Sequence, residues 1–255
     1  MKKMLNRVPK VTLYFWIIKI LATTVGETAA DFLSVTLNLG LSVTSYIMSG
    51  LLLIALLNQF RLKRYVPASY WFVVVLISIV GTLITDKLVD DFGVSLVTTT
   101  IVFSFILSVV FWLWYLSEKT LAMHSIRTAK REMFYWLAIL FTFALGTSTG
   151  DLLAEASGLG YAQSGLVFGT LIAITTIGYY YFSLNAVLAF WIAYILTRPL
   201  GASIGDFLSQ PVKQGGLGFG TVGTSMIFLS IIVSLVIYLS RKQKKPALLP
   251  IDGQE

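Results

Sequence analysis

Polar positions along this chain are sparse and bunched. Between the bunches run eight mostly apolar stretches: 11–33, 40–58, 68–89, 93–116, 133–154, 161–182, 185–209 and 216–240. Each is near the roughly 20 residues that a helix needs to cross a hydrocarbon core of about 30 Å. The stretches are continuous runs of Leu, Ile and Val without the short alternating segments of a membrane barrel, so the pattern predicts helices. A helix also satisfies its backbone hydrogen bonds within one segment, which a spanning element must do. The odd-numbered stretches are not uniformly apolar. They carry polar residues three or four apart, and hence on one helical face. Thr23, Thr24, Glu27 and Asp31 form that stripe in the first, and Ser78, Thr82, Asp86 and Asp90 in the second unit. Thr147, Asp151 and Glu155 form it in the third, and Arg198, Asp206 and Gln210 in the fourth.

The same spacing recurs four times. Trp16, Trp71, Trp136 and Trp191 are each preceded by an aromatic residue: Phe15, Tyr70, Tyr135 and Phe190. Ten residues after each Trp stands a glycine: Gly26, Gly81, Gly146 and Gly201. Fifteen after stands an aspartate: Asp31, Asp86, Asp151 and Asp206. Seventeen after stands a leucine: Leu33, Leu88, Leu153 and Leu208. Each unit is an odd span carrying this motif, a glycine-containing turn and a plainer even span. The units cover approximately 11–60, 66–116, 131–182 and 186–240, with 241–255 read as a cytoplasmic tail. Two-span units all enter from the same side, so these are parallel repeats related by an axis along the membrane normal.

The arrangement resembles a family of bacterial integral membrane proteins defined by four tandem repeats of unknown function, each with two transmembrane regions and a characteristic tryptophan. The resemblance covers residues 11 to about 240. It implies the architecture and carries no activity with it.

Composition agrees with insertion in a bilayer. Hydrophobic residues make up 56% and charged residues 12% of the 255, and the mean hydropathy is +0.82. A soluble domain carries about 25% charged residues. Zero cysteines exclude disulfides, thiolate metal sites and a cysteine nucleophile, and the lone His124 excludes a multi-histidine site. The net charge of +7 reads as a topology signal. Lys2, Lys3, Arg7, Lys10, Arg61, Lys63, Arg64, Lys119, Arg127, Lys130, Arg131, Arg241, Lys242, Lys244 and Lys245 fall on one side, against Lys87 and Lys213 on the other. By the positive-inside rule both termini are cytoplasmic. The expected fold is an all-α membrane protein of eight transmembrane helices, multi-pass in the plasma (bacterial inner) membrane. Its partners are then the lipid bilayer and a small ion or small-molecule substrate, with room for a homo-oligomer. The basic residues are too dispersed among short loops for nucleic acid.

A carboxylate facing lipid costs at least about 2.5 kcal/mol, so four stripes of them are expected to face the bundle interior or a wet cavity. The glycines are expected to serve helix packing, each followed four residues later by a small residue: Ala30, Thr85, Gly150 and Gly205. The tryptophans read as interfacial anchors or packing aromatics. Lys19 and Arg198 break the fourfold pattern as intramembrane cations, candidates for gating or coupling. Lys19 is expected to pair with Glu27 or an aspartate. Pro199 is expected to kink its span, and Lys87, Asp90 and Asp91 to form a solvated outer loop.

Carboxylates clustered inside a membrane mark ion paths, and their oxygens suit hard cations. The functional expectation is a secondary transporter or channel for a cation, a divalent metal ion or a proton-coupled one. Asp31, Asp86, Asp151 and Asp206 are the expected ligands of that ion, with Glu27 and Glu155 as further ligands or proton relays. No resident cofactor is required beyond a bound divalent cation. The second reading is a structural or sensory protein whose aspartates cap or clasp the bundle. An intramembrane aspartyl enzyme is the third and weakest. The strings nearest to its Gly-x-Gly-Asp signature are Ser148-Thr149-Gly150-Asp151 and Ser203-Ile204-Gly205-Asp206, so no enzymatic activity is expected.

Overall fold

A computed structural model describes residues 5–244. Lys2, Lys3, Lys245 and the rest of the expected tail from 246 onward lie outside the described residues. Eight long helices carry the chain: α1 (Leu13–Asp31), α2 (Gly40–Arg61), α3 (Pro67–Asp86), α4 (Leu96–Glu118), α5 (Ala129–Asp151), α6 (Tyr161–Tyr181), α7 (Ala186–Ser209) and α8 (Gly220–Lys244). No β-strand occurs among the described residues. α8 runs four residues further than the apolar pattern suggests, so the first residues of the expected tail are helical.

Local chemistry sets the helix starts. Thr12, Ser95, Thr128 and Asn185 cap the first turns of α1, α4, α5 and α7 by accepting backbone N–H bonds. Pro67 opens α3, where its missing N–H costs nothing. Pro199 does not break α7, which stays helical from Ala186 to Ser209.

The helices form two concentric rings. α1, α3, α5 and α7 make the inner one: α1 packs on α3 and α7, and α5 on the same two. The outer helices are displaced by one unit. α2 packs on α3, α4 on α5, α6 on α7, and α8 closes the circle on α1. Each unit therefore covers its successor, and the two helices of one unit meet chiefly near their connecting turn. This makes the four units interdependent, because the inner helix of each is shielded by the outer helix of the one before.

Seven of the eight helices are long and apolar enough to cross a membrane, and α1 is the exception. The reason lies in its polar face. Lys19 and Glu27 are buried in the inner ring, and Asp31 lines the central cavity. The outer helices instead expose apolar side chains such as Tyr46, Ile54, Phe105, Leu166 and Met226.

Three inner helices end alike. Directly after Asp31, Asp86 and Asp151 the α-helix widens into one π-helical turn: Phe32–Thr36, Lys87–Asp91 and Leu152–Ala156. In the fourth unit Pro211 stands five residues after Asp206, where a proline cannot continue the turn, and α7 ends at Ser209. The segment expected as a solvated loop, Lys87 to Asp91, is thus helical. Lys87 there bonds Ser42 Oγ at 2.5 Å and pairs with Asp91 at 3.8 Å.

Candidate functional site

The motif reads onto the inner ring position by position. Each aromatic residue before a Trp meets the Trp of the following unit: Phe15 on Trp71 at 5.6 Å, Tyr70 on Trp136 at 5.3 Å, Tyr135 on Trp191 at 6.3 Å and Phe190 on Trp16 at 5.7 Å between ring centroids. Trp71, Trp136 and Trp191 are buried, with Trp16 half-buried. The tryptophans are therefore packing residues that close one end of the ring, and Trp191 also donates to the carbonyl of Leu121 at 3.0 Å. Tyr70 and Tyr135 join their hydroxyls at 2.5 Å inside this aromatic layer.

The glycines are sockets. The residue seven after the Trp of the next unit fills each: Ser78 at Gly26, Phe143 at Gly81, Arg198 at Gly146 and Thr23 at Gly201. A Cβ built on any of the four would stand 1.7–2.6 Å from that neighbour. Threonine hydroxyls reinforce the close approach, with Thr24 donating to Gly201 O and Thr85 to Ala144 O, each at 3.0 Å.

Arg198 and Lys19 occupy the axis at successive levels. Arg198 is fully buried, and its Nη2 donates to Glu27 Oε2 at 2.7 Å, to Thr147 Oγ1 at 2.7 Å and to Thr82 Oγ1. One guanidinium from α7 thus ties α1, α3 and α5. Glu27, Thr82 and Thr147 all stand eleven residues after their Trp. That shared register, polar in three of four copies, was the signal in the sequence for this layer. Lys19 is not paired with Glu27 or an aspartate as expected, because Arg198 holds Glu27. Its ammonium lies 4.3 Å from the ring centroids of both Phe143 and Tyr194 and has no hydrogen-bond partner.

Beyond Arg198, away from the aromatic layer, the ring opens into a cavity of about 220 Å3. Asp31, Asp86, Asp151 and Asp206 line it together with Glu27, Asp90 and Glu155. These are seven of the twelve carboxylates in the chain. Glu27 connects the cavity to the axial arginine, and Ser34 and Gln210 add neutral polar wall. A neighbouring hollow of about 310 Å3 shares Asp31 and Gln210 and extends to Thr221 on α8. Of these residues, Ser34 escaped the sequence pattern because a lone serine on a helix carries no signal.

The four aspartates have no visible structural task. Among the described residues none of them accepts a hydrogen bond from a side chain or pairs with a cation. Asp31, Asp86 and Asp151 each precede a π turn without capping it. Among the described residues none of the four makes a side-chain clasp between helices, and none of these three caps its turn. They also do not converge on a point: among the described residues, no three Asp, Glu or His side chains form a group that could hold a metal ion. The expected shared set of direct metal ligands is thus not assembled, since each aspartate sits on a different helix around the wall of the cavity.

No curated protein and no solved structure matches the chain. The family described as Repeat of Unknown Function (DUF347) matches four times in tandem, at residues 14–65, 69–120, 134–184 and 189–245. Each match takes in one aromatic-Trp pair, one glycine socket, one cavity aspartate and the outer helix that follows. With four copies filling most of its length, the chain belongs to this family of repeat proteins.

Proposed function

We propose that the protein is a multi-pass membrane transporter or channel for a cation, with the acidic cavity as its entry vestibule. Both termini then face the cytoplasm, the aromatic layer lies at the cytoplasmic end, and the cavity opens toward the outside. Of the described basic residues in ends and loops, Arg61, Arg64, Lys119, Lys130 and Arg241 belong to the aromatic end, against Lys87 and Lys213 at the cavity end, and the positive-inside rule then puts the aromatic end in the cytoplasm. The apolar outer ring supports insertion in lipid, because a soluble monomer rarely exposes so continuous an apolar surface.

One observation carries the cation. The motif's aromatic residues, tryptophans and glycines are accounted for by ring packing, whereas its aspartates are left unbonded and facing one cavity. Carboxylates inside a membrane protein are costly, and persist where they serve an ion or substrate path. The negative charge that seven of them share around one small volume attracts cations, although like charges this close cannot all ionise together. With no group arranged to strip and ligate a metal ion, the cargo enters with its water shell or as a small organic cation. The packed aromatics at the far end make this a gated path rather than an open pore.

Flux into proteoliposomes tests the reading. The purified chain is screened with protons, monovalent and divalent cations and methylammonium. Wild type is expected to carry at least one of them, and Asp31→Asn and Asp151→Asn to slow it by about tenfold or more while remaining folded. Raising ionic strength is expected to lower the initial rate, as screening weakens the focused field. Variants that lose heat stability but move cations as fast as wild type would make the aspartates structural.

A further inference from the structure

The floor of the vestibule is a cation site that the protein fills with its own side chain. Glu27 Oε2, Thr147 Oγ1 and Thr82 Oγ1 come from three helices and meet at one nitrogen of Arg198. The two hydroxyl protons are engaged elsewhere. Thr147 donates to Phe143 O at 3.2 Å, and Thr82 to Ser78 O at 3.2 Å or to Glu27 at 3.4 Å. Both hydroxyl oxygens therefore present lone pairs toward the arginine. The cradle is one carboxylate and two neutral acceptors, and it offers nothing but acceptors. Such a set matches a group rich in N–H donors. It is poor for Mg²⁺, which demands near-octahedral oxygen coordination.

Glu27 faces two ways. It bonds Arg198 on the axis and also lines the acidic cavity, while Arg198 itself is not part of the cavity wall. The hold on Arg198 is one-sided, since its Nε and Nη1 have no partner. We propose that Arg198 is a tethered competitor: a cargo cation bearing N–H donors, of the guanidinium or primary ammonium class, reaches Glu27 only by taking the place of the arginine. This rests on the cation-transport reading and names its cargo class and its coupling. Because the same guanidinium ties α7 to α1, α3 and α5, its displacement loosens the inner ring between the cavity and the aromatic layer that closes the path. A ligand shifts a conformational balance only through contacts that differ between states, and Glu27 supplies such a contact.

The test uses the full-length chain in detergent, with guanidinium chloride in the low millimolar range and choline chloride holding ionic strength constant. Arg198→Ala leaves Glu27 without its cation. Guanidinium and methylammonium are expected to raise the apparent melting midpoint of this variant by about 3 °C or more, in a saturable way. Tetramethylammonium, which has no N–H donor, is expected to do nothing. The Glu27→Gln, Arg198→Ala chain is expected not to respond. Calorimetric affinity for guanidinium is expected to be at least about tenfold higher in Arg198→Ala than in wild type. Equal affinity in the two chains, or equal rescue by tetramethylammonium, overturns the proposal. If the alanine variant does not fold, Arg198→Lys is measured instead. Its shorter reach is expected to raise guanidinium affinity by about threefold or more, and an unchanged affinity overturns the proposal. Tighter binding in the variant, with no flux in wild type, would keep the competitor and remove transport. Aspartate-dependent flux with unchanged binding would do the reverse.

Discussion

A Gly26→Ala chain is expected to lose much of its thermal stability, and a Gly26→Ala, Ser78→Gly chain to regain most of it. The added methyl group would stand 1.8 Å from Ser78 Oγ and 2.5 Å from Ser78 Cβ, a clash that no rotamer of Ser78 relieves. Overpacking of this kind costs about 1–3 kcal/mol. Removing the serine side chain gives the methyl group its space, and Ser78 Oγ has no hydrogen bond to lose. What remains is a tight contact of 3.0 Å with the residue-78 carbonyl carbon and the glycine penalty inside a helix, about 1 kcal/mol. The two substitutions should therefore be strongly non-additive, the mark of a direct contact.

Gly81→Ala is expected to be at least as damaging and harder to rescue. Its methyl group meets Phe143 Cβ at 2.6 Å and the backbone nitrogen of Ala144 at 3.2 Å, and truncating the fully buried Phe143 to make room would leave a cavity. Gly150→Ala is the control. The nearest atoms there, on Pro199, stand at 3.6 Å, which is ordinary contact, and alanine improves helix propensity by up to about 1 kcal/mol. Unfolding of the variants in detergent, followed by circular dichroism, orders the three. Equal losses for Gly26→Ala and Gly150→Ala would contradict the inner ring as described.

Much of this arrangement was legible in the chain itself, and for a definable reason. A repeat aligned without gaps turns one sequence into four observations of one environment. The aromatic-Trp pair, the glycine and the aspartate stand out against a background where any apolar residue suffices. The spans were legible too, since an apolar run long enough to cross a bilayer has few other uses. Periodicity gives the face of a helix but not the neighbour that meets it. It placed Gly26 on a packing face and left open that Ser78 of the next unit fills it. It gave no sign that α2 covers α3 and that α8 covers α1, because each outer helix is apolar on nearly every side. The π turns were equally silent. They depend on where the backbone must widen after an aspartate, and Pro211 is the single residue that marks the unit lacking one.

The partner of each buried charge was the other gap. Lys19 and Arg198 are both cations on polar faces of inner helices, and depth alone does not separate them. The register does. Arg198 stands at position seven and reaches one turn onward to the layer of Glu27, Thr82 and Thr147. Lys19 stands at position three, and Phe143 and Tyr194 surround its ammonium with aromatic faces instead. Charge also lowers the apolarity of α1, through Lys19 and Glu27, which are buried in the inner ring, and Asp31, which lines the cavity.

Arg7→Ala is expected to destabilise the protein by about 3 kcal/mol, although Arg7 precedes the first helix and is partly exposed. Its Nη1 pairs with Glu132 Oε2 at 2.7 Å, and the Glu132 side chain is completely buried. Gln59 and Trp136 donate to the other oxygen of Glu132 at 3.0 and 3.4 Å. Removing the arginine leaves a buried carboxylate with no counter-charge, and breaking such a pair costs about 3–5 kcal/mol. The amide and indole donors that remain, and the 14% exposure of Arg7, place this case at the lower end. Arg7→Ala combined with Glu132→Gln is expected to be milder than Arg7→Ala alone, because the second change deletes the orphaned charge. A double chain less stable than either single one would show that the pair is not the source of the loss. The same contact reaches the cytoplasmic end as a whole under the proposed orientation. The Arg7 amide bonds Ile126 O in the central connector at 2.9 Å, and Asn6 O accepts from the Tyr65 amide in the first loop at 3.0 Å. The leading segment therefore ties the connector of the two halves to the turn between α2 and α3. Faster hydrogen exchange at the residue-7 and Tyr65 amides in Arg7→Ala, with the Trp191 to Leu121 contact unchanged, would locate the damage at this strap rather than in the inner ring.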